Sequence, residues 1–204
     1  MIRNYLLPMG LLRTAIHEAG HTVVASKSEA CIELVSVDIL STNGRRGNCQ
    51  TSWNTMHPMY AWQRIAHTLA RAAAEKVCLG NYDCSGLGGD FKASAAILDG
   101  QSLQLCATSH KFSVKIPTSI IREALYEIFS SRLPRETQAN ILNRCHTGAI
   151  QMVQENRPAL DRLVISLLRN RQLVGTEIHK LLTGQNKISD WRMKTKMMFS
   201  RWFD

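Results

Sequence analysis

The chain of 204 residues lacks features that define several common classes of protein. It has no G-x-x-x-x-G-K-[ST] phosphate loop, so we expect no ATPase module in this polypeptide. It has no run of about 18 apolar residues, so we expect no transmembrane helix. Its six cysteines include no C-x-x-C pair. We therefore expect reduced thiols and small core residues, without a disulfide framework or a cysteine-based zinc site.

Signals for export and for nucleic-acid binding are also missing. Arg3 precedes the short apolar run at 5–7, but Pro8 interrupts that run and Arg13 follows closely, which is not typical of a signal peptide. The net charge is +9, yet the body of the domain has no nucleic-acid-binding motif, no basic run and no interleaved stack of aromatic residues. A hydrophobic fraction of 45% is typical of a globular domain. We expect a cytoplasmic protein that does not bind nucleic acid.

The most informative motif present is H-E-x-x-H at His17, Glu18 and His21. Apolar residues around it are spaced to bury one side of a helix. Residues four apart lie on the same helical face, so the two imidazoles can bind one ion, while the carboxylate of Glu18 can reach a water on that ion. Imidazole and carboxylate ligands favour zinc.

The third metal ligand is not determined by this spacing. A metzincin would have Gly and His at the positions of Val24 and Lys27. Glu29 and Glu33 follow His21 too soon to lie on a second helix. A distant carboxylate must therefore supply the third bond, and the candidates are Asp83, Asp90 and Asp99.

The sequence T-A-I-H-E-A-G-H-T-V-V-A at 14–25 resembles the zinc helix of FtsH-type metallopeptidases. Farther on, Ser85-Gly86-Leu87-Gly88-Gly89-Asp90-Phe91 is similar to the family's T-G-A-x-N-D-L, although this chain has Gly89 where the family has Asn. The remaining segments that resemble the family lie at 69–76, 79–80, 155–160 and 173–178, so the resemblance covers about residues 10–183.

The resemblance implies a peptidase domain with a helical FtsH-like fold and a zinc ion bound by His17, His21 and Asp90. It also implies that substrate lies on a sheet edge, formed here by residues 33–40 or 47–53, although both strands could simply cap the core. Glu75 matches a family position. It could orient a metal ligand, or it could have a structural role in a helix.

Breakers and periodicity predict a mainly α fold with a small β-sheet, of the α+β class. We expect a zinc helix from Pro8 to about Lys27, strands at 33–40 and 48–53 around a turn at 43–47, and a helix from Pro58 to Leu79. Three further helical patterns follow prolines, and a short helix is expected near 176–182; the prolines are Pro117, Pro134 and Pro158. Residues 1–186 would form one metallopeptidase domain.

Residues 187–204 lie outside the resemblance and form a basic amphipathic tail. Drawn as a helix, the tail has one apolar face, formed by Ile188, Trp191, Met198, Phe199 and Trp202. Basic residues border this face, namely Lys187, Arg192, Lys194, Lys196 and Arg201. Such a helix suits the anionic inner face of a membrane, a partner, or packing on its own domain, and the sequence leaves these open.

Together these features predict a zinc endopeptidase that hydrolyses unfolded or loosely folded polypeptides with Glu18 as general base. A separate ATPase partner or a homo-oligomer could assist it. The alternative is a catalytically silent scaffold or interaction protein of the same fold, which could associate with a membrane surface. The intact Glu18 argues against this alternative. The other histidines lack metal-ligand spacing and receive no role; they are His57, His67, His110, His146 and His179.

Overall fold

The computed structural model describes residues 9–40, 47–82, 90, 93–94, 96–98 and 135–185. The helices are α1 (Met9–Ser26), α2 (Tyr60–Thr68), α3 (Ala70–Leu79), α4 (Arg135–Glu155), α5 (Arg157–Asn170) and α6 (Gly175–Thr183). The strands are β1 (Cys31–Asp38), β2 (Asn48–Trp53) and β3 (Gln172–Val174). Residues 90, 93–94 and 96–98 are also helical. The predicted class, mainly α with a small sheet, is confirmed.

Helix α1 lies at the centre of the fold and contacts α2, α3, α4, α5 and the sheet. Most of its positions from Leu12 to Ala25 are buried, because apolar and small residues occupy nearly every side of the helix. The buried set includes Glu18 and His21. The helix predicted from Pro8 to about Lys27 is therefore confirmed, and Glu18 and His21 of its polar motif lie inside the core.

The close contact between α1 and α3 depends on Gly20. A Cβ atom at this position would lie 2.6 Å from the Cβ of Ala74 and 2.8 Å from the carbonyl oxygen of Ala70. Alanines recur along α3, so its backbone approaches α1 closely. This contact places α3 beside the histidine motif.

The helix predicted from Pro58 to Leu79 is two helices, and the single-helix prediction is wrong. Helix α2 ends at Thr68 and α3 begins at Ala70, with Leu69 between them. The hydroxyl of Thr68 donates to the carbonyl of Ile65 and contacts Ser94 in the neighbouring helical segment. Hydroxyl side chains bend or end helices by bonding nearby carbonyls, and propensity alone does not reveal this.

The sheet has the order β2-β1-β3 and is antiparallel throughout. Strand β1 begins two residues before the predicted start at 33, and β2 matches its prediction. Strand β3 was missed, because three residues are too few to show an alternating pattern. It follows Arg171, whose left-handed backbone (φ 67°) reverses the chain after α5. The predicted turn around 43–44, the helix after Pro117 and the tail lie outside the described residues.

The predicted helices after Pro134 and Pro158 and near 176–182 correspond to α4, α5 and α6. Pro158 lies in the first turn of α5, where its missing N–H group costs no hydrogen bond. None of the helices in the described ranges is both long and apolar enough to cross a membrane. Four cysteines are described, and all four are free thiols: Cys31, Cys49, Cys78 and Cys145.

Gly20→Ala should destabilise the fold by about 1–3 kcal/mol, because the added methyl group collides with α3. Gly10→Ala is a matched control on the same helix, since a Cβ atom there would meet nothing within 4 Å. The control should be neutral or stabilising by up to about 1 kcal/mol, because alanine is the better helix former. Urea unfolding measures both changes, and a Gly20→Ala variant as stable as the wild type would contradict the packing described.

Candidate metal centre

Three side chains that can bind a metal ion converge on one point, and they are His17, His21 and Asp90. Their ligand atoms all lie within 4.8 Å of one another. The Nε2 atoms of His17 and His21 are 2.9 Å apart, because α1 places them one turn apart on one face. Two ligands at zinc-binding distances of about 2.0–2.1 Å would lie roughly 3.3 Å apart in a tetrahedral site. The distance between the two Nε2 atoms is therefore close to the distance expected between two ligands of the same zinc ion.

Asp90 supplies the carboxylate that α1 lacks. Its Oδ2 atom is buried and has no hydrogen-bond partner among the described residues. A buried carboxylate oxygen without a partner is costly unless an ion or a donor satisfies it. Burial raises the pKa of Asp90 to about 6, which reflects that cost, while Arg71 opposes the rise. The donor set and the unsatisfied oxygen both fit a divalent cation.

The ring of His21 is held in the orientation that a metal ligand needs. Its Nδ1 atom lies 2.7 Å from the backbone carbonyl of His67, at the C-terminal end of α2. A carbonyl can only accept, so Nδ1 carries the proton and Nε2 keeps its lone pair for a metal. This contact of His67 is not predictable from the sequence, because no spacing signal identifies a backbone carbonyl as a hydrogen-bond partner of a metal ligand.

Both histidines of the motif are kept neutral by their surroundings. Burial, together with the neighbouring His21 and Arg71, lowers the pKa of His17 to about 2. Burial also lowers the pKa of His21 to about 4, although its bond to the His67 carbonyl opposes the shift. Neutral imidazole is the form that binds metal ions, so no proton has to be displaced from either ring at neutral pH.

Glu18 lies beside the ligand atoms and is only 4% exposed. Its Oε1 atom is 3.7 Å from the Nε2 atom of His17. Burial, together with the negative charges of Asp38 and Asp90, raises the pKa of Glu18 to about 8. A carboxyl group with a raised pKa next to a metal site is suited to carrying a proton.

Gly47, immediately before β2, makes room for the Glu18 carboxylate. A Cβ atom at this position would lie 2.6 Å from Oε1 of Glu18 and 2.9 Å from its Cγ. The sequence predicted only a turn here, because nothing in it shows that the β2 backbone passes over α1. Gly47 is therefore a residue of the site that sequence reasoning did not find.

A buried ion-pair cluster stands behind the site. Glu75 on α3 is 1% exposed and forms ion pairs with Arg13, at 2.8 Å, and with Arg71, at 3.1 Å. The positive charge of Arg71 lowers the pKa of His17, Glu18, His21 and Asp90. Glu75 thus positions the guanidinium group of Arg71, whose charge influences the site. Of the two roles predicted for Glu75, these contacts support the structural one.

Strand β2 borders the site, whereas β1 lies between β2 and β3, with β3 paired only at Ser36–Asp38. The Cys49 thiol on β2 is 3.5 Å from the hydroxyl of Thr22 on α1. At the other end of β2, the Trp53 ring packs 5.2 Å from the ring of His67. In the part of the chain that the structure describes, β2 pairs with β1 only and forms an edge of the sheet. Of the two segments expected to bind substrate, 47–53 is the edge strand beside Glu18.

Comparison of the chain with models of known protein families finds no matching family, and comparison with curated proteins finds no match either. The case for a metal centre therefore depends on the geometry of the chain itself. Of the three carboxylates predicted as candidates, Asp90 lies with the two histidines. Asp83 and Asp99 lie outside the described residues.

Asp90→Ala should weaken zinc binding by about 100-fold or more, since losing an outer partner of a ligand already costs 10–100-fold. Asp83→Ala and Asp99→Ala are the matched controls and should leave the affinity within about twofold. Competition with a chromophoric zinc chelator measures all four affinities. Zinc binding that is lost in either control and kept in Asp90→Ala would assign the third ligand elsewhere.

The metal-free protein should lose stability relative to Glu18→Gln as the pH rises from 6.5 to 8. The pKa of Glu18 is about 8 in the fold against 4.5 for an exposed glutamate, so the folded state binds more protons in this window and stability falls. Below pH 6.5 the lowered pKa values of His17 and His21 have the opposite effect, because the unfolded state then binds more protons and stability rises with pH. The difference should grow by roughly 1 kcal/mol per pH unit in chelator-treated samples. Parallel stability profiles for the two proteins would contradict the raised pKa.

Proposed function

We propose that this protein is a zinc-dependent endopeptidase acting on unfolded or loosely folded polypeptides. The observation that carries the proposal is the convergence of His17, His21 and Asp90 beside the buried carboxyl group of Glu18. Three protein ligands leave a fourth position open in a tetrahedral site, which is the pattern of catalytic zinc. The resemblance of the 14–25 and 85–91 segments to FtsH-type peptidases supports the same assignment.

Each residue of the site has a separate role in the proposed hydrolysis of the peptide bond. Zinc held by His17, His21 and Asp90 would supply a Lewis acid for the scissile carbonyl and for water, and its charge would favour the ionised form of Glu18. Glu18 accepts the proton from the attacking water and delivers it to the leaving amine. The His67 carbonyl fixes the ring of His21, and Gly47 leaves the space in which the Glu18 carboxyl group moves its proton.

We propose that the substrate binds along the outer edge of β2. An extended peptide can add to a sheet edge through backbone hydrogen bonds, which selects conformation more than sequence. Gly47 and Cys49 place this edge next to Glu18 and Thr22 of the motif helix. Since this polypeptide has no phosphate loop, folded substrates would need a separate ATPase partner, whereas unfolded chains could bind directly. Self-association could supply further binding surface.

The purified protein should bind about one zinc ion per chain, because one set of three ligands is present. Glu18→Gln should keep the zinc and lose casein hydrolysis by about 100-fold or more, since only the proton carrier is removed. Metal analysis and the release of casein peptides measure the two properties. His21→Ala should lose both.

Glu155→Gln is the matched control, because Glu155 is exposed at the end of α4 and contacts Gln151. It should keep both zinc and activity. Glu18→Gln that cleaves casein as fast as the wild type would show that Glu18 is not the base. A wild type that binds zinc and cleaves nothing would favour the silent scaffold instead.

A further inference from the structure

A second feature of the molecule is an apolar groove at the sheet edge opposite β2. The groove encloses about 700 Å³ between β1 and α6. That volume lies within the roughly 300–1,000 Å³ of pockets that enclose ligands. The apolar side chains lining it include Ile32, Val35, Val174 and Leu182. Ile32 is 67% exposed and Val174 is 48% exposed, so the described part of the fold leaves these side chains uncovered.

Two bulges in β1 direct side chains into this groove. The pairing of β1 with β2 shifts between Cys31 and Glu33 and again between Leu34 and Ser36, so Ile32 and Val35 have no partner residue in β2. A bulge re-aims the extra residue out of the regular pattern. Both extra residues are apolar, and both line the groove. The two irregularities in the pairing of β1 therefore each place an apolar side chain, Ile32 or Val35, in the groove.

The walls of the groove are held in position. Strand β3 pairs with β1 at Ser36–Asp38, which closes one end. At Gly175 the backbone comes so near β1 that a Cβ atom would lie 2.6 Å from the carbonyl oxygen of Leu34. The Arg162 side chain donates to the carbonyl of Leu181 at 2.6 Å and so ties α6 to α5. The groove is a formed surface that exists before anything binds it.

The described chain ends on the rim of this groove. Helix α6 stops at Thr183, Gly184 adopts the left-handed conformation, and Gln185 itself lines the groove. Residues 186–204 follow directly and are rich in apolar side chains, namely Ile188, Trp191, Met193, Met197, Met198, Phe199, Trp202 and Phe203. An extended chain covers about 3.3–3.6 Å per residue, so even the first few residues after Gln185 are long enough to reach across the rim. The tail therefore has both the reach and the composition to cover the groove.

We propose that residues 186–204 dock in this groove and cover Ile32, Val35 and Val174. The segment is tethered at the rim, so its local concentration is high and a modest apolar contact is enough to hold it. Polar side chains also line the groove and can meet the polar residues of the tail, namely Glu33, Thr176, His179, Lys180 and Gln185. The docking lies at the sheet edge away from Glu18, and it does not depend on the proposed peptidase activity.

Trypsin digestion of the full-length protein tests the docking, because the tail contains basic residues and cleavage of a docked segment tracks the population of its open form. Ile32→Asp and Val35→Asp should each speed cleavage between residues 187 and 201 by about tenfold or more. Met56→Asp is the matched control, since Met56 is 87% exposed and does not line the groove. Its tail should be cleaved at the wild-type rate, as followed by intact mass spectrometry.

The reciprocal experiment changes the tail and observes the groove. In the full-length chain, Ile188→Asp and Trp191→Asp should increase hydrogen exchange of the backbone amides at residues 31–35. Ser189→Asp adds the same charge at a polar position and should leave that exchange unchanged. These tail variants leave every described core residue unchanged, so the test stands even where a groove variant fails to fold.

Several results would overturn the proposal. Equally rapid tail cleavage in the wild type and in both groove variants would show that the tail does not dock. Protection that increases with protein concentration would identify the tail of a second copy as the occupant. Protection seen only with vesicles of phosphatidylserine and phosphatidylcholine would assign the tail to an anionic membrane surface. Concentration-independent protection without vesicles, lost in the groove variants, supports the docking.

Discussion

The burial of ionisable side chains in the central helix is the constraint on which the rest of the structure depends. Helix α1 is covered by other elements, yet it carries His17, Glu18 and His21 on its course through the core. Burial keeps both imidazoles neutral and raises the pKa values of Glu18 and Asp90. Water solvates such groups at a surface, whereas in the core they either become neutral or need a nearby ion to balance their charge.

Three surrounding elements contact the buried ionisable groups of α1 from different sides. The carbonyl of His67, at the break between α2 and α3, fixes the ring of His21. Arg71, held by the buried Glu75, brings a positive charge near the carboxyl groups. Gly47 keeps the β2 backbone close to Glu18 without a collision. Each contact joins a different element to α1, so the packing of the domain and the geometry of the site are one arrangement.

The motif and the class of the fold could be predicted from the sequence because their signals are local. The four-residue spacing of His17 and His21 and the alternation in β2 need no tertiary information. The break at Leu69, the three-residue β3 and the role of Gly47 could not be predicted, since each depends on contacts between distant segments. Asp90 was chosen by its resemblance to a family motif, and spacing alone left Asp83 and Asp99 equally open. Its place beside the histidines emerges only from the fold.

The central claim is that His17, His21 and Asp90 form a zinc centre with an open position. X-ray absorption at the zinc edge of protein loaded with one equivalent of zinc tests it most directly. We expect only nitrogen and oxygen neighbours at about 2.0–2.2 Å, with the multiple-scattering pattern of two imidazoles. A sulfur neighbour at about 2.3 Å, as from a cysteine such as Cys49, or a spectrum without imidazole scattering, would contradict the account.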